Sequence, residues 1–155
     1  MSIKNNIIYI NVNIDGLPIA KSSKSQLWPI LAQIVSENSV PFLVGVYHGY
    51  KKPTTVKNFL QDFVTELKQL STVGFTYEYN VYYIQIRAVI CDSPARSFVT
   101  CTKIHNGYFG CSKCFIEGDY GNGRMLFLDH NCSLRTDESF LLRKNPEHHT
   151  CRMVE

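Results

Sequence analysis

The sequence predicts an α/β domain built on a mixed sheet, in the order β-β-β-α-β-α, followed by an irregular segment that carries most of the cysteines. Three observations support this: an alternating β-branched stretch near the start (IIYINVNI), a single long amphipathic helix pattern from Val56 to Leu70, and an apolar run that ends on a lone acid before a helix start (AVICDSPAR).

Ile7 to Ile14 alternates from Ile10 onward and stops at the turn pair Asp15-Gly16, so it reads as a strand with one well-buried face. Ser25 to Val35 (SQLWPILAQIV) has apolar residues on both parities around Pro29, which predicts a bent or edge strand. Pro41 to Tyr47 (PFLVGVY) is a third strand. Behind a threonine cap at Thr54-Thr55, Val56, Phe59, Leu60, Phe63, Val64, Leu67 and Leu70 are spaced 3, 1, 3, 1, 3, 3, which is one stripe of a helix. Phe75 to Asn80 and Val81 to Ile90 are β-rich around a polar break. Ser93 can cap, Pro94 suits a first turn and Gly107 can terminate, so a second helix is expected from Ser93 to about His105. Beyond Gly107 the sequence reads as irregular, which divides the chain into 1–107 and 108–155.

With 155 residues, 45% of them hydrophobic, the chain can bury a core. A formal charge of +3 permits a nucleic-acid partner without demanding one. The N-terminus has no apolar signal region or cleavage site, and no segment approaches the ~20 apolar residues of a membrane span. An intracellular, soluble protein without a membrane partner is therefore expected. In a reducing compartment six cysteines are to be read for metal or burial rather than as a disulfide framework.

The element order, with one acid after the first strand and another after the fourth, is ribonuclease H-like. Central strands of such a sheet lie side by side, so Asp15 and Asp92 can converge at one sheet end. Two adjacent carboxylates repel unless a divalent cation lies between them, and hard oxygen ligands suit Mg²⁺ or Mn²⁺. The competing reading makes Asp15 a turn residue and Asp92 a helix-start residue favoured by the helix dipole.

Cys111-Ser112-Lys113-Cys114 has the spacing at which two thiolates of a tight turn bind one tetrahedral Zn²⁺. Cys101 and His105, one turn apart on the expected second helix, could complete the site. So could His148 or His149, with His130 and Cys132 as further candidates. The alternative is a pair of small buried cysteines. His48 reads as a satisfied edge histidine, and Lys21, Lys24, Lys51, Lys52 and Arg96 as solvated charges that could line a DNA path.

The blocks NIDGLPIAKSS with WPIL, PFLVGVYHG with KP, CDSPAR, the run from Cys101 through His105, GYFGCSKC and EG, then GRM, LRTDESF and HHT, occur in one order from about Ile10 to Thr150. In these the chain resembles the N-terminal part of a DDE-type DNA transposase of the zinc-containing animal families akin to CACTA (En/Spm) elements. More remotely it is similar to Transib transposases and the vertebrate recombination-activating recombinase. The resemblance implies a ribonuclease H-like core in which Asp15 and Asp92 are the first two catalytic carboxylates and hold Mg²⁺ or Mn²⁺ for attack on a phosphodiester. It also implies a zinc site at Cys111 and Cys114, transposon-end DNA as partner, and a nuclear or cytoplasmic location. In the relatives a third acid lies beyond a helical insertion that has no match here, and Glu147 and Glu155 are no substitutes. A truncated or degenerate core, inactive alone, is therefore expected. The alternative is a non-catalytic, zinc-stabilised module that binds nucleic acid, its own kind or full-length transposase.

Overall fold

The computed structural model describes residues 6–20 and 24–151. Lys21 and Glu155 lie outside the described residues. The chain divides into two compact units, Met1–Ala95 and Arg96–Glu155, so the division falls upstream of Gly107, where the sequence pattern puts it.

The first unit is a mixed sheet with one long helix. Its strands are β1 (Ile7–Ile14), a short β2 (Leu17–Pro18), β3 (Gln26–Ile34), β4 (Phe42–Gly49), β5 (Phe75–Tyr77) and β6 (Asn80–Ile90), with helix α1 (Val56–Thr72) between β4 and β5. β1 pairs antiparallel with β3, β3 antiparallel with β4, and β1 parallel with β6, which gives a central order β4-β3-β1-β6. Parallel neighbours need a crossover, and β3, β4, α1 and β5 all lie between β1 and β6 in the chain.

The alternation expected in β1 is present: Ile10, Val12 and Ile14 are buried. They share the core with Trp28, Ile30 and Ala32 of β3, whose register pairs Val12 with Ala32 and Ile14 with Ile30. Burying a side chain of this size contributes on the order of 1.5–3 kcal/mol. Asn11 and Asn13 take the other parity and remain half-buried.

Pro29 does not make β3 an edge strand. β3 is flanked by β1 and β2 on one side and by β4 on the other. The β1 pairing reaches only Ile30 and the β2 pairing only Leu27, so Trp28 and Pro29 occupy the gap between them, where a missing N–H is tolerated. The β4 side keeps the pair Pro29–Val46 and shifts register just beyond, between Ile30 and Leu31. At that corner Gly16 lies against the Trp28 indole, and a Cβ there would come within 2.7 Å of Trp28 Cζ2.

Helix α1 begins as the sequence predicts: the Asn58 N–H donates to Thr55 Oγ1 at 3.2 Å. Its apolar stripe faces the sheet, and the Phe59 ring meets Trp28 edge-on with centroids 6.2 Å apart. β5 and β6 form a hairpin through Glu78 and Tyr79, both with positive φ, as a two-residue primed turn requires.

The second predicted helix is shorter than expected. α2 covers Ser93–Val99 rather than running to His105. Cys101 takes a left-handed φ of 54°, and the Ser97 and Thr100 hydroxyls bond the Thr102 and Arg96 carbonyls at the helix end. Such hydroxyls offer the backbone local alternatives to helix, and β-branched Val99, Thr100 and Thr102 add little to hold it.

The region read as irregular contains two formed elements. β7 (Asp119–Gly121) and β8 (Arg124–Leu126) make a hairpin around Asn122-Gly123, whose φ values are 53° and 75°. Helix α3 (Asp137–Leu141) starts with a reciprocal cap between Thr136 and Ser139. Among the described residues no helix is long and apolar enough to cross a membrane.

Candidate metal centre

Asp15 and Asp92 follow the β1–β6 pairing at equivalent points. The last registered pair of the parallel strands β1 and β6 is Asn13 with Ile90, and each aspartate lies two residues further on. The Asn13 side-chain amide donates to the Ile90 carbonyl at 3.2 Å, which ties the two strands together just before the acids. Asp15 is half-buried and Asp92 exposed.

One of the competing roles is visible. Asp15 is not in a turn: the pairing along β3 continues from Ile14 with Ile30 to Leu17 with Leu27 in one register, and Asp15 Oδ1 accepts from the N–H of the next residue, Gly16, at 2.7 Å. Asp92 Oδ1 accepts from the Ala95 N–H at 2.7 Å, so Asp92 caps α2, and Ser93, expected as the cap, is the first helical residue. These bonds fix one oxygen of each carboxylate. A hard cation needs oxygen donors on a rigid frame, and the two carboxylates stand two residues past the same registered pair of adjacent parallel strands.

The cysteines behave differently. Cys111 Sγ and Cys114 Sγ lie 3.4 Å apart, close to the roughly 3.8 Å edge of a tetrahedron with zinc–sulfur bonds of about 2.3 Å. The pair therefore fits one half of a zinc site. The proposed completion by Cys101 and His105 is not assembled. Cys101 is joined to Cys151 in a disulfide with Cα atoms 5.3 Å apart, and α2 ends before reaching either residue. The disulfide also departs from the expectation that the cysteines serve metal binding or burial rather than a disulfide framework.

The alternative histidines do not supply the missing half either. His148 is 2% exposed, with Nδ1 at 2.6 Å from the Phe109 carbonyl. Burial pushes its pKa down, the bond to Phe109 opposes this, and Arg135 and Lys103 lower it further, so the ring is neutral and Nδ1–H donates. His149 packs against Phe140, with ring centroids 4.9 Å apart. Among the described residues no group of three or more His, Cys, Asp or Glu comes together as a metal site.

Arg135 lies against the Cys111 turn, a neighbour that the sequence pattern does not single out. Its Nε donates to the Cys111 carbonyl at 3.0 Å, and its guanidinium lies over the Phe115 ring at 4.8 Å. Burial lowers its pKa, while the Cys111 and Cys114 thiols beside it raise it. No local pattern announces this, because Arg135 reaches the turn through the bridge that pairs Cys114 with Leu134. His48 behaves as expected: its Nε2 lies 2.6 Å from Ser25 Oγ.

No family model, curated protein or solved structure matches the chain.

Proposed function

We propose that the first unit is a ribonuclease H-like core of a DDE-type DNA transposase, in which Asp15 and Asp92 hold Mg²⁺ or Mn²⁺ against a DNA phosphodiester. One observation carries the reading: both acids lie just past the same registered pair, Asn13 with Ile90, on adjacent parallel strands. The order β4-β3-β1-β6, with only β1 and β6 parallel, supports it. A divalent ion bound there supplies positive charge to a phosphoryl oxygen and lowers the pKa of attacking water. The chain's own part is to hold two carboxylates in place, with the Gly16 and Ala95 N–H groups each anchoring one oxygen. Exposed Lys24 and Lys51 would meet the DNA backbone. A DNA partner would place the protein in the nucleus.

Two carboxylates leave the rest of the coordination sphere to other ligands, so metal binding is the first readout and turnover the second. Mn²⁺ titration followed by electron paramagnetic resonance should show binding to the chain that is lost in Asp15→Asn and in Asp92→Asn. Binding unchanged in both variants would overturn the assignment. Strand transfer on terminal-repeat DNA by this chain alone is not expected, because two carboxylates leave a metal pair underliganded.

The second reading, a zinc-stabilised module that engages nucleic acid or other transposase chains, is favoured by the 3.4 Å separation of the Cys111 and Cys114 sulfurs. Its ligand set would include donors beyond those now near the pair. Zinc stoichiometry near one in the native chain and near zero in Cys111→Ser is its test.

A further inference from the structure

We infer that the outer edge of β4 is a docking site for an extended, basic segment of a partner protein, which adds as a strand and places one large apolar side chain in the groove between β4 and α1. This does not rest on the transposase reading. Among the described residues β4 pairs only with β3, so its other side presents backbone donors and acceptors that no described strand meets. Natural sheet edges are protected by lysine, proline or a bulge. β4, FLVGVYHG, holds no Lys, Arg, Asp or Glu and no proline. Its one irregularity is the register shift that leaves Val44 without a partner, and Gly45 to Gly49 beyond it run in unbroken register with β3. Val46 on this stretch is 53% exposed.

Beside this edge lies a cavity of about 350 Å³, lined by Ile30, Gly45, Phe59 and Phe63, with Asp62 and Glu66 from the same helix. Gly45 opens it. As the register partner of Ile30 it faces α1 but carries no side chain, and the nearest atom to a Cβ built there is Ile30 Cδ1 at 3.9 Å. The space has room for an aromatic or large aliphatic group, with Ile30, Phe59 and Phe63 on its apolar side and Asn58, Asp62 and Glu66 on its polar side.

The two acids identify the occupant. Asp62 and Glu66 are four residues apart, about 6 Å along the helix axis, and two basic residues on either side of one same-face strand position stand about 13 Å apart, so their long side chains converge on the two carboxylates. A segment with an apolar residue flanked at two-residue spacing by lysine or arginine would fill the groove and meet both carboxylates. A second copy of β4 has no lysine or arginine to offer, which argues against simple edge-to-edge self-pairing.

The test uses the full chain and a short capped peptide whose one face reads lysine, phenylalanine, lysine and whose other face is threonine, with a glutamate-for-lysine version as control. The lysine peptide should bind saturably, at least about tenfold more tightly than the control, and should slow amide exchange in β4. Gly45→Val fills the groove with an ordinary contact and a good strand former, so it should keep or raise the melting temperature and lose about tenfold or more in peptide affinity. Should Gly45→Val fail to fold, the Asp62→Lys/Glu66→Lys double variant, at exposed helix positions, should invert the peptide preference. Equal binding of the two peptides, no binding of either, or concentration-dependent dimerisation abolished by Gly45→Val would each overturn the inference. The last outcome would assign the groove to a second copy of the chain.

Discussion

The Asn13 amide reaches across from β1 to the Ile90 carbonyl of β6 at 3.2 Å, one step before the chain delivers Asp15 on one strand and Asp92 on the other. A bond that fixes the spacing of two strands also fixes the spacing of the residues just beyond their ends. Asn13→Leu keeps the volume and both acids but removes the tie, so Mn²⁺ affinity should fall by up to about tenfold, the equivalent of one hydrogen bond. Titration of the variant with unchanged affinity would show that the strands hold the acids without it.

Asp92 serves both as helix cap and as candidate ligand, and two substitutions separate the roles. Asn caps as well as Asp, so Asp92→Asn should leave stability nearly unchanged, whereas Asp92→Ala should cost about 1 kcal/mol. Both should abolish the metal signal. Urea unfolding and Mn²⁺ titration on the same samples distinguish the two contributions.

Gly16 has no room for a side chain against Trp28. Gly16→Ala must shift the indole or the corner, at a cost of about 1–3 kcal/mol typical of overpacking. Denaturant midpoints of the variant and of Gly16→Ala combined with Trp28→Phe would show whether the smaller ring relieves it.

His148 and His149 both have pKa values lowered chiefly by burial. A histidine whose folded pKa lies below its unfolded value binds its proton more readily when unfolded, so stability is complete above the unfolded value near 6.5 and falls as pH drops through the folded one. The melting temperature of the second unit should therefore decline from about pH 6.5 downward, and His148→Gln should flatten that slope.

The Cys101–Cys151 disulfide closes a loop with a sequence separation of 50. Alongside it Thr102 bridges to His149, and the Thr150 N–H donates to the Cys101 carbonyl at 2.8 Å. Reduction should cost about 2–4 kcal/mol and release this strap first. Amide exchange at Lys103 and Thr150 with and without reductant would show it, and Cys151→Ser should reproduce the reduced pattern.

Much of the first unit was legible locally. Alternation in β1 and the apolar stripe of α1 are properties of adjacent residues, and each element formed where its pattern lay. The end of α2 was not legible, because it is set by hydroxyl bonds and by the left-handed Cys101 rather than by the distant Gly107. Two signals in the second unit were present but unread: the Asn122-Gly123 pair and the Thr136 to Ser139 cap.

By itself the sequence determined which residue types could do chemistry and where strands and helices start, since capping, alternation and helical spacing act over a few residues. Only the tertiary structure decided which of those residues meet. Register across β1 and β6 put Asp15 and Asp92 at equivalent positions, and the Cys114–Leu134 bridge brought Arg135 to the Cys111 turn. The Cys101–Cys151 disulfide, in turn, removed Cys101 from the zinc candidates. Long-range pairing is fixed by the burial of whole faces, which no short window of sequence contains.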